Sequence, residues 1–215
     1  MASIKKYTFN QVAVQLGHGA RTNNSTAPHI HHSKTTNNTI LSPDRQMSPY
    51  DYFLTLRKDL YIFNRNDLKE MIEIVITEPE DSSNSDIFFN TTYQFLNERF
   101  GGGTDAPYCL LCVIHQDEDG VVLQNRKPHM HYYAIPVEHD KKRHKPSEKK
   151  IGSSKLLSRA NLRSFHPDFQ AYLKKHNISG TVQSGIVQQN GGNQSIYQLK
   201  QNDHHHERGY VYDWN

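Results

Sequence analysis

Three of the chain's fourteen histidines, His115, His129 and His131, are spaced so that they can share one ion. On a strand, residues i and i+2 leave the same face, about 7 Å apart. The run H-M-H at 129–131 therefore sends two imidazoles to one side and Met130 to the other. His115 closes the apolar run PYCLLCVIH (107–115), which reads as a neighbouring strand. If the two strands pair, three ring nitrogens converge on one sheet face. Such a set suits a divalent transition ion such as Mn2+, Zn2+, Ni2+ or Co2+ and leaves coordination positions for water or substrate. Glu118 offers a further ligand or a base, or belongs to an acidic turn with Asp117 and Asp119. Oxygenases with two histidines and one carboxylate also hold a metal, but their short pair is H-x-D or H-x-E. Here it is H-x-H, and no glycine-punctuated barrel pattern follows.

The surrounding elements must position these groups. MIEIVIT (71–77) is a β-branched strand ended by Pro79. In SDIFFNTTYQFLNERFGGG, Ile87, Phe88, Phe95, Leu96 and Phe100 form a helical stripe, with a Ser or Asp cap and a glycine stop. HMHYYAIPV (129–137) reads as a strand, and SRANLRSFHPDFQAYLKKHN as a helix entered afresh at Pro167. Residues 50–70 include a helix. YTFNQVAVQL reads as a short strand within an otherwise polar segment, 1–48. From about residue 180 the chain is a polar Gln-, Asn- and Gly-rich tail with short strands at GTVQSGIVQ and SIYQLK. The stretch HQDEDGVVLQNRKPHMH joins two strands as a hairpin would, so they pair antiparallel. The expected fold is α+β, an antiparallel β-sheet flanked by helices, in one domain over 1–215.

The chain is polar, with 35% hydrophobic residues and a mean hydropathy of -0.80. A net charge of +3 admits nucleic-acid binding without requiring it. Locally, KKRHKPSEKK (141–150) is strongly basic and is followed by Lys155, Arg159 and Arg163. No apolar run is long enough to span a membrane, and MASIKKYTFN lacks a secretory core, so an intracellular protein is expected. Cys109 and Cys112 stand at i and i+3 on a strand. That spacing predicts opposite faces and buried structural thiols rather than a chelating pair.

CVIHQDE followed by KPHMHYYAIPVE resembles the His-hydrophobic-His signature of HUH endonucleases. It resembles more closely the MobV (Mob/Pre) plasmid mobilization relaxases, whose pattern is H-x-D-E, then T-P-H-M-H and an apolar strand ending V-P. MIEIVIT and the helices DIFFNTTYQFLNERFG and DFQAYLKKHNI match the family's order, and the resemblance covers most of residues 10–178. Two departures are visible. The stretch between His115 and His129 is longer than the family's spacing, which predicts a protruding hairpin. The family's H-N-x-R motif appears as His18-Gly19-Ala20-Arg21, with Gly where the family has Asn.

The resemblance implies an HUH fold and an enzyme that nicks one strand of origin-of-transfer DNA. It implies a covalent adduct with the DNA 5′-phosphate, later resealed, in conjugative mobilization. His18 is then the nucleophile in place of the tyrosine of most HUH enzymes. Arg21 holds a phosphate oxygen, Glu118 accepts a proton, and Asn38 matches the family's asparagine. The metal is Mn2+, with Mg2+, Zn2+, Ni2+ or Co2+ as alternatives. The partners are single-stranded or supercoiled origin DNA and relaxosome or coupling proteins, in the cytoplasm of a bacterium carrying a plasmid or other mobile element. Lys141, Lys142, Arg143, Lys145, Lys149 and Lys150 would contact the DNA backbone. Tyr50, Tyr52 and Phe53 would stack on bases or enter the core. His29, His31 and His32 match nothing in the family.

The main rival is a rolling-circle replication initiator, an HUH protein whose nucleophile lies in Y-x-x-K. Tyr172-Leu173-Lys174-Lys175 has that spelling on a helix. The long segment ahead of MIEIVIT, taken as the first sheet strand, favours the relaxase. A non-catalytic DNA-binding domain is the remaining alternative, and the intact histidine trio argues against it.

Overall fold

The computed structural model describes residues 2–23, 30–118, 128–140 and 148–182. The protruding hairpin (119–127), His29, Lys141, Lys142, Arg143, Lys145, SIYQLK and most of GTVQSGIVQ lie outside them.

Period-two alternation builds the sheet. Strands β1 (Ala2–Thr8), β2 (Thr39–Ile40), β3 (Lys69–Thr77), β4 (Cys109–His115) and β5 (His129–Ala134) pair antiparallel in the order β1-β3-β5-β4-β2. Ile72, Ile74 and Ile76 of β3 and Met130, Tyr132 and Ala134 of β5 face one way. They pack on Phe88, Phe89, Phe95 and Leu96 of helix α3 (Ser85–Leu96) and on Phe165, Phe169 and Leu173 of α4 (Arg159–Lys175). The other face carries Met71, Leu111, Val113 and Tyr133 under α1 (Phe9–Gly19) and α2 (Pro49–Lys58), which contribute Val12, Leu16 and Phe53. Both faces are thus covered by helices, as expected for this α+β class. A second, two-stranded sheet of β6 (Val137–His139) and β7 (Lys149–Ile151) follows β5.

Local chemistry explains several departures from the expected elements. YTFNQVAVQL is not a strand: β1 ends at Thr8 and α1 begins at Phe9. Gln11 Oε1 accepts the Thr8 N–H at 3.0 Å, and Val12 and Leu16, one helical turn apart, bury into the core. The edge strand of the sheet therefore comes from the N-terminal segment, and β3 is not the first strand. Asn84, not Ser85 or Asp86, caps α3, accepting the Ile87 N–H at 3.0 Å. A π-turn over Asn97–Gly101 continues α3, and Gly102 ends it at φ 89°, where glycine is favoured. Helix α4 runs unbroken through Pro167. Proline removes one helical N–H, but the buried stripe of Phe165, Phe169 and Leu173 holds the axis on both sides of it.

The cysteines also differ from expectation. A register shift between Cys109 and Leu111 turns both thiols into the same core cluster. They remain free and buried, the structural role anticipated. No helix of the described residues is long and apolar enough to cross a membrane.

Candidate metal centre and nucleophile

Antiparallel pairing sets His115 directly opposite His129 and Val113 opposite His131. The three rings leave the α1 side of the sheet, where β4 ends and β5 begins. Their centroids are 5.7 Å (His115–His129), 4.6 Å (His115–His131) and 5.0 Å (His129–His131) apart. Glu118 completes the group: one ligand atom from each of the four residues lies within 4.8 Å of all the others. Its Oε1 is 3.4 Å from His115 Nδ1 and its Oε2 3.4 Å from His129 Nε2.

The outer ring nitrogens decide which inner ones are bare. His115 Nε2 lies 2.9 Å from the Gly19 carbonyl, which can only accept, so the proton sits on Nε2. His131 Nδ1 lies 2.7 Å from Glu73 Oε1 and carries its proton there. His115 Nδ1 and His131 Nε2 are left as buried acceptors without a hydrogen-bond partner. Bare buried nitrogens of this kind are costly unless something occupies their lone pairs. Two of them, beside a carboxylate and a third imidazole, fit a divalent cation. Burial pushes the His131 pKa down to about 4, so the ring is neutral and ready to ligate at neutral pH.

A second layer fixes these rings. Glu73 is almost fully buried in β3 and accepts from both His131 and the Tyr7 hydroxyl. Burial opposes its charge, but those hydrogen bonds keep it ionised well below the usual carboxylate range. Gly19 reaches His115 because α1 packs closely there. A Cβ at Gly19 would stand 2.6 Å from Tyr133 Cε2, which gives the Gly in His18-Gly19-Ala20-Arg21 a steric reason.

His18, in the last turn of α1, faces this group. Its Nε2 is 3.9 Å from Glu118 Oε1 and its ring meets His115 edge-on, with centroids 6.4 Å apart. Burial, and then the Arg21 charge, lower its pKa, while Glu118 opposes the shift. The imidazole is therefore held neutral beside the cluster, with 32% of its side chain exposed.

The chain matches the family of plasmid recombination enzymes, Mob_Pre, over residues 1–201. It belongs to that family. Solved structures of the MobM relaxase domain (MOBV; Mob_Pre) bound to plasmid pMV158 oriT DNA have the same fold, at 19% identity. One holds a 22-nucleotide strand with a 3′-thiophosphate and Mn at pH 6.8; it superposes with a TM-score of 0.71 over 94% of this chain and 97% of that one. A 23-nucleotide Mn-bound complex at pH 6.5 gives 0.66 over 95% and 97%, and a 26-nucleotide complex 0.60 over 93% and 98%. No curated protein matches the chain. The expected HUH relaxase fold, the sheet flanked by helices, is the fold of these neighbours.

Within this Mob_Pre chain, several expected site residues are tied into the protein itself. Arg21, at φ 56°, spends four of its five N–H donors on the protein: two on Asp117 (3.0 and 2.8 Å), one on Glu118 (2.5 Å) and one on the His18 carbonyl (3.0 Å). It ties the end of α1 to the segment after His115, as a side chain only 5% exposed must be paired within the protein. Burial opposes the charge of Glu118, and the Arg21 guanidinium bonded to it favours that charge. Asn38 Oδ1 accepts the Gln116 N–H at 2.8 Å, so Asn38 braces the H-x-D-E segment. His31 joins the same brace through its N–H to the Asp117 carbonyl.

Tyr172 lies on the opposite side of the sheet. Its hydroxyl donates to Glu98 Oε1 at 3.0 Å, and its ring packs on Phe95 and stacks on His176. Lys149 and Lys150 stand at the far end of the sheet, against Tyr108 and Phe63. Phe53 is core; Tyr50 and Tyr52 pack against that core, with the Tyr52 hydroxyl on the Pro107 carbonyl. Sequence reasoning missed Glu73, Asp117 and Tyr7. A lone acid inside MIEIVIT was the available signal for Glu73, and the D of H-x-D-E for Asp117.

Proposed function

We propose that this Mob_Pre protein is a relaxase that nicks and reseals one strand of origin-of-transfer DNA for plasmid mobilization, with His18 as nucleophile and Mn2+ as its ion. The observation that carries the reading is the pair of bare, buried nitrogens, His115 Nδ1 and His131 Nε2, with neutral His18 across Glu118 from them. His115, Glu118, His129 and His131 would hold the ion, which when bound polarises the scissile phosphate and stabilises charge on its oxygens.

A ring nitrogen of His18 attacks the phosphorus in line. An N–P bond forms as the P–O3′ bond breaks; the DNA 5′ end stays on the imidazole as a phosphoramidate, and the 3′ oxygen leaves, taking a proton from water. Glu118 keeps its negative charge beside the ring and offsets the positive charge that develops there. Arg21 and Asp117 keep the end of α1 in register with the cluster, so that nucleophile and phosphate meet at reacting distance. Because the new bond retains the energy of the old one, the freed 3′ hydroxyl reseals the strand without ATP. The relaxase domain spans 1–215 in this reading and works in the cytoplasm with relaxosome or coupling proteins. What favours His18 over Tyr172 is placement: Tyr172 sits across the sheet, bonded to Glu98.

The test is Mn2+-dependent adduct formation on labelled origin strands. Wild type and Tyr172→Phe should form the adduct, and His18→Ala should not. An adduct that survives His18→Ala and is lost in Tyr172→Phe would overturn the assignment.

A further inference from the structure

At the end of the sheet away from the histidines lies a cavity of 460 Å³ between the start of α1, the end of α2 and the loop that leads into β3. Arg57 and Glu70 form an ion pair within it at 2.6 and 3.1 Å, and Arg65, which also lines it, pairs with Asp67 at 2.7 Å, so its charges are neutralised. Phe63 lines it together with the amides of Asn10, Asn64 and Asn66. Asn64 and Asn66 are exposed. The volume falls in the range of small-ligand sites, roughly 300–1,000 Å³. A neutralised, amide-rimmed cavity with an aromatic wall does not suit an apolar guest. It suits a flat heteroaromatic one, since each amide presents a donor and an acceptor to a base edge and the ring a stacking surface.

A cation of β7 stands beside it. Tyr61 zips onto β7, donating its N–H to the Lys149 carbonyl at 2.9 Å and accepting the Ile151 N–H at 3.0 Å. Lys150 Nζ then lies 5.4 Å from the Phe63 ring, whereas Lys149 leaves the other face of the strand and donates to the Tyr108 hydroxyl at 2.8 Å. These lysines end the basic run that joins β6 to β7. Along β3, Glu70 is five residues from Val75, the partner of His131. That is roughly 17 Å.

We propose that this cavity is a second subsite for the DNA strand, taking one unpaired base roughly 17 Å along β3 from the histidine cluster, with Lys150 beside an adjoining phosphate. The proposal rests on the relaxase reading. It assigns the expected Lys150 contact to a definite place, remote from the histidine cluster.

The Mn2+-loaded full chain is titrated with fluorescein-labelled dT15 and followed by anisotropy. Asn64→Ala/Asn66→Ala and Phe63→Ala should each weaken binding about tenfold. If Phe63→Ala unfolds, the exposed asparagine pair carries the test alone. A dT15 strand scanned with 5-iodouracil should photocrosslink to the tryptic peptide 59–65, which holds Tyr61 and Phe63. Affinities within twofold of wild type, or crosslinks only elsewhere, would overturn the subsite. Binding of free dTMP that is lost in the variants, with dT15 affinity unchanged, would assign the cavity to a free nucleotide and also overturn it. Adduct formation on origin strands is scored separately. A protein that binds dT15 through the cavity but never forms the adduct would sink the relaxase reading and leave the subsite standing.

Discussion

Replacing Glu73 with glutamine separates ligand positioning from mere burial. Two donors converge on this carboxylate, the His131 Nδ1–H at 2.7 Å and the Tyr7 hydroxyl, and a carboxylate accepts both. An amide has one acceptor oxygen. If that oxygen turns to Tyr7, the amide NH2 meets the His131 N–H. If it turns to His131, the hydroxyl proton of Tyr7 is stranded. Either way one buried donor goes unsatisfied, at about 1–3 kcal/mol, and His131 loses the charge that fixes its tautomer. Outer-shell changes of this kind typically lower metal affinity about 10–100-fold. Calorimetric titration of Mn2+ into folded Glu73→Gln protein should show a loss in that range. Adding Tyr7→Phe removes the competing hydroxyl, frees the amide oxygen for His131 and should recover part of the affinity. Mn2+ affinity within twofold of wild type in a folded Glu73→Gln variant would refute this reasoning, and so would a double variant no better than the single one.

Three further outcomes are expected. Arg21→Lys keeps the charge but loses the fork on Asp117 and Glu118; chemical denaturation should show about 1.5–3 kcal/mol lost, with a matching fall in adduct yield. Burial pushes the Asp117 carboxyl up, but hydrogen bonds from Arg21, Asn38 and Thr35 hold it below its usual range. Its contribution to stability is therefore complete above about pH 4 and declines as the pH falls further, so the stability gap between wild type and Asp117→Asn should narrow in acid. Finally, Mn2+ at a hundredfold excess over its Kd should stabilise the wild type by about 2.7 kcal/mol, read as a rise in Tm that chelation reverses and that His115→Ala and His131→Ala lack.

The histidine trio was legible because strand alternation is rigid. H-M-H can only put Met130 and the two histidines on opposite faces, and His115 ends the strand that pairs there. The support for the trio was harder to read. Glu73, Asp117 and the Gly19 carbonyl are each many residues from the imidazole or guanidinium they hold, and only the pairing of β3 with β5 and the packing of α1 bring them together. The bonds of Arg21 to Asp117 and Glu118 were likewise hidden, because they span nearly a hundred residues. The β1–α1 boundary was obscured because Val12 and Val14 favour strand, while the helix signals, Thr8 with Gln11 and Val12 with Leu16, are four-residue patterns. The shared face of Cys109 and Cys112 depends on a register shift that spacing alone does not encode.

The most direct test of the central claim is the chemical identity of the protein–DNA bond. Wild-type protein is trapped on an origin strand with Mn2+, digested, and the nucleotide-bearing peptide sequenced by mass spectrometry before and after mild acid. The nucleotide should lie on His18 through an acid-labile phosphoramidate. An acid-stable phosphodiester on Tyr172, or on any other hydroxyl, would contradict the account.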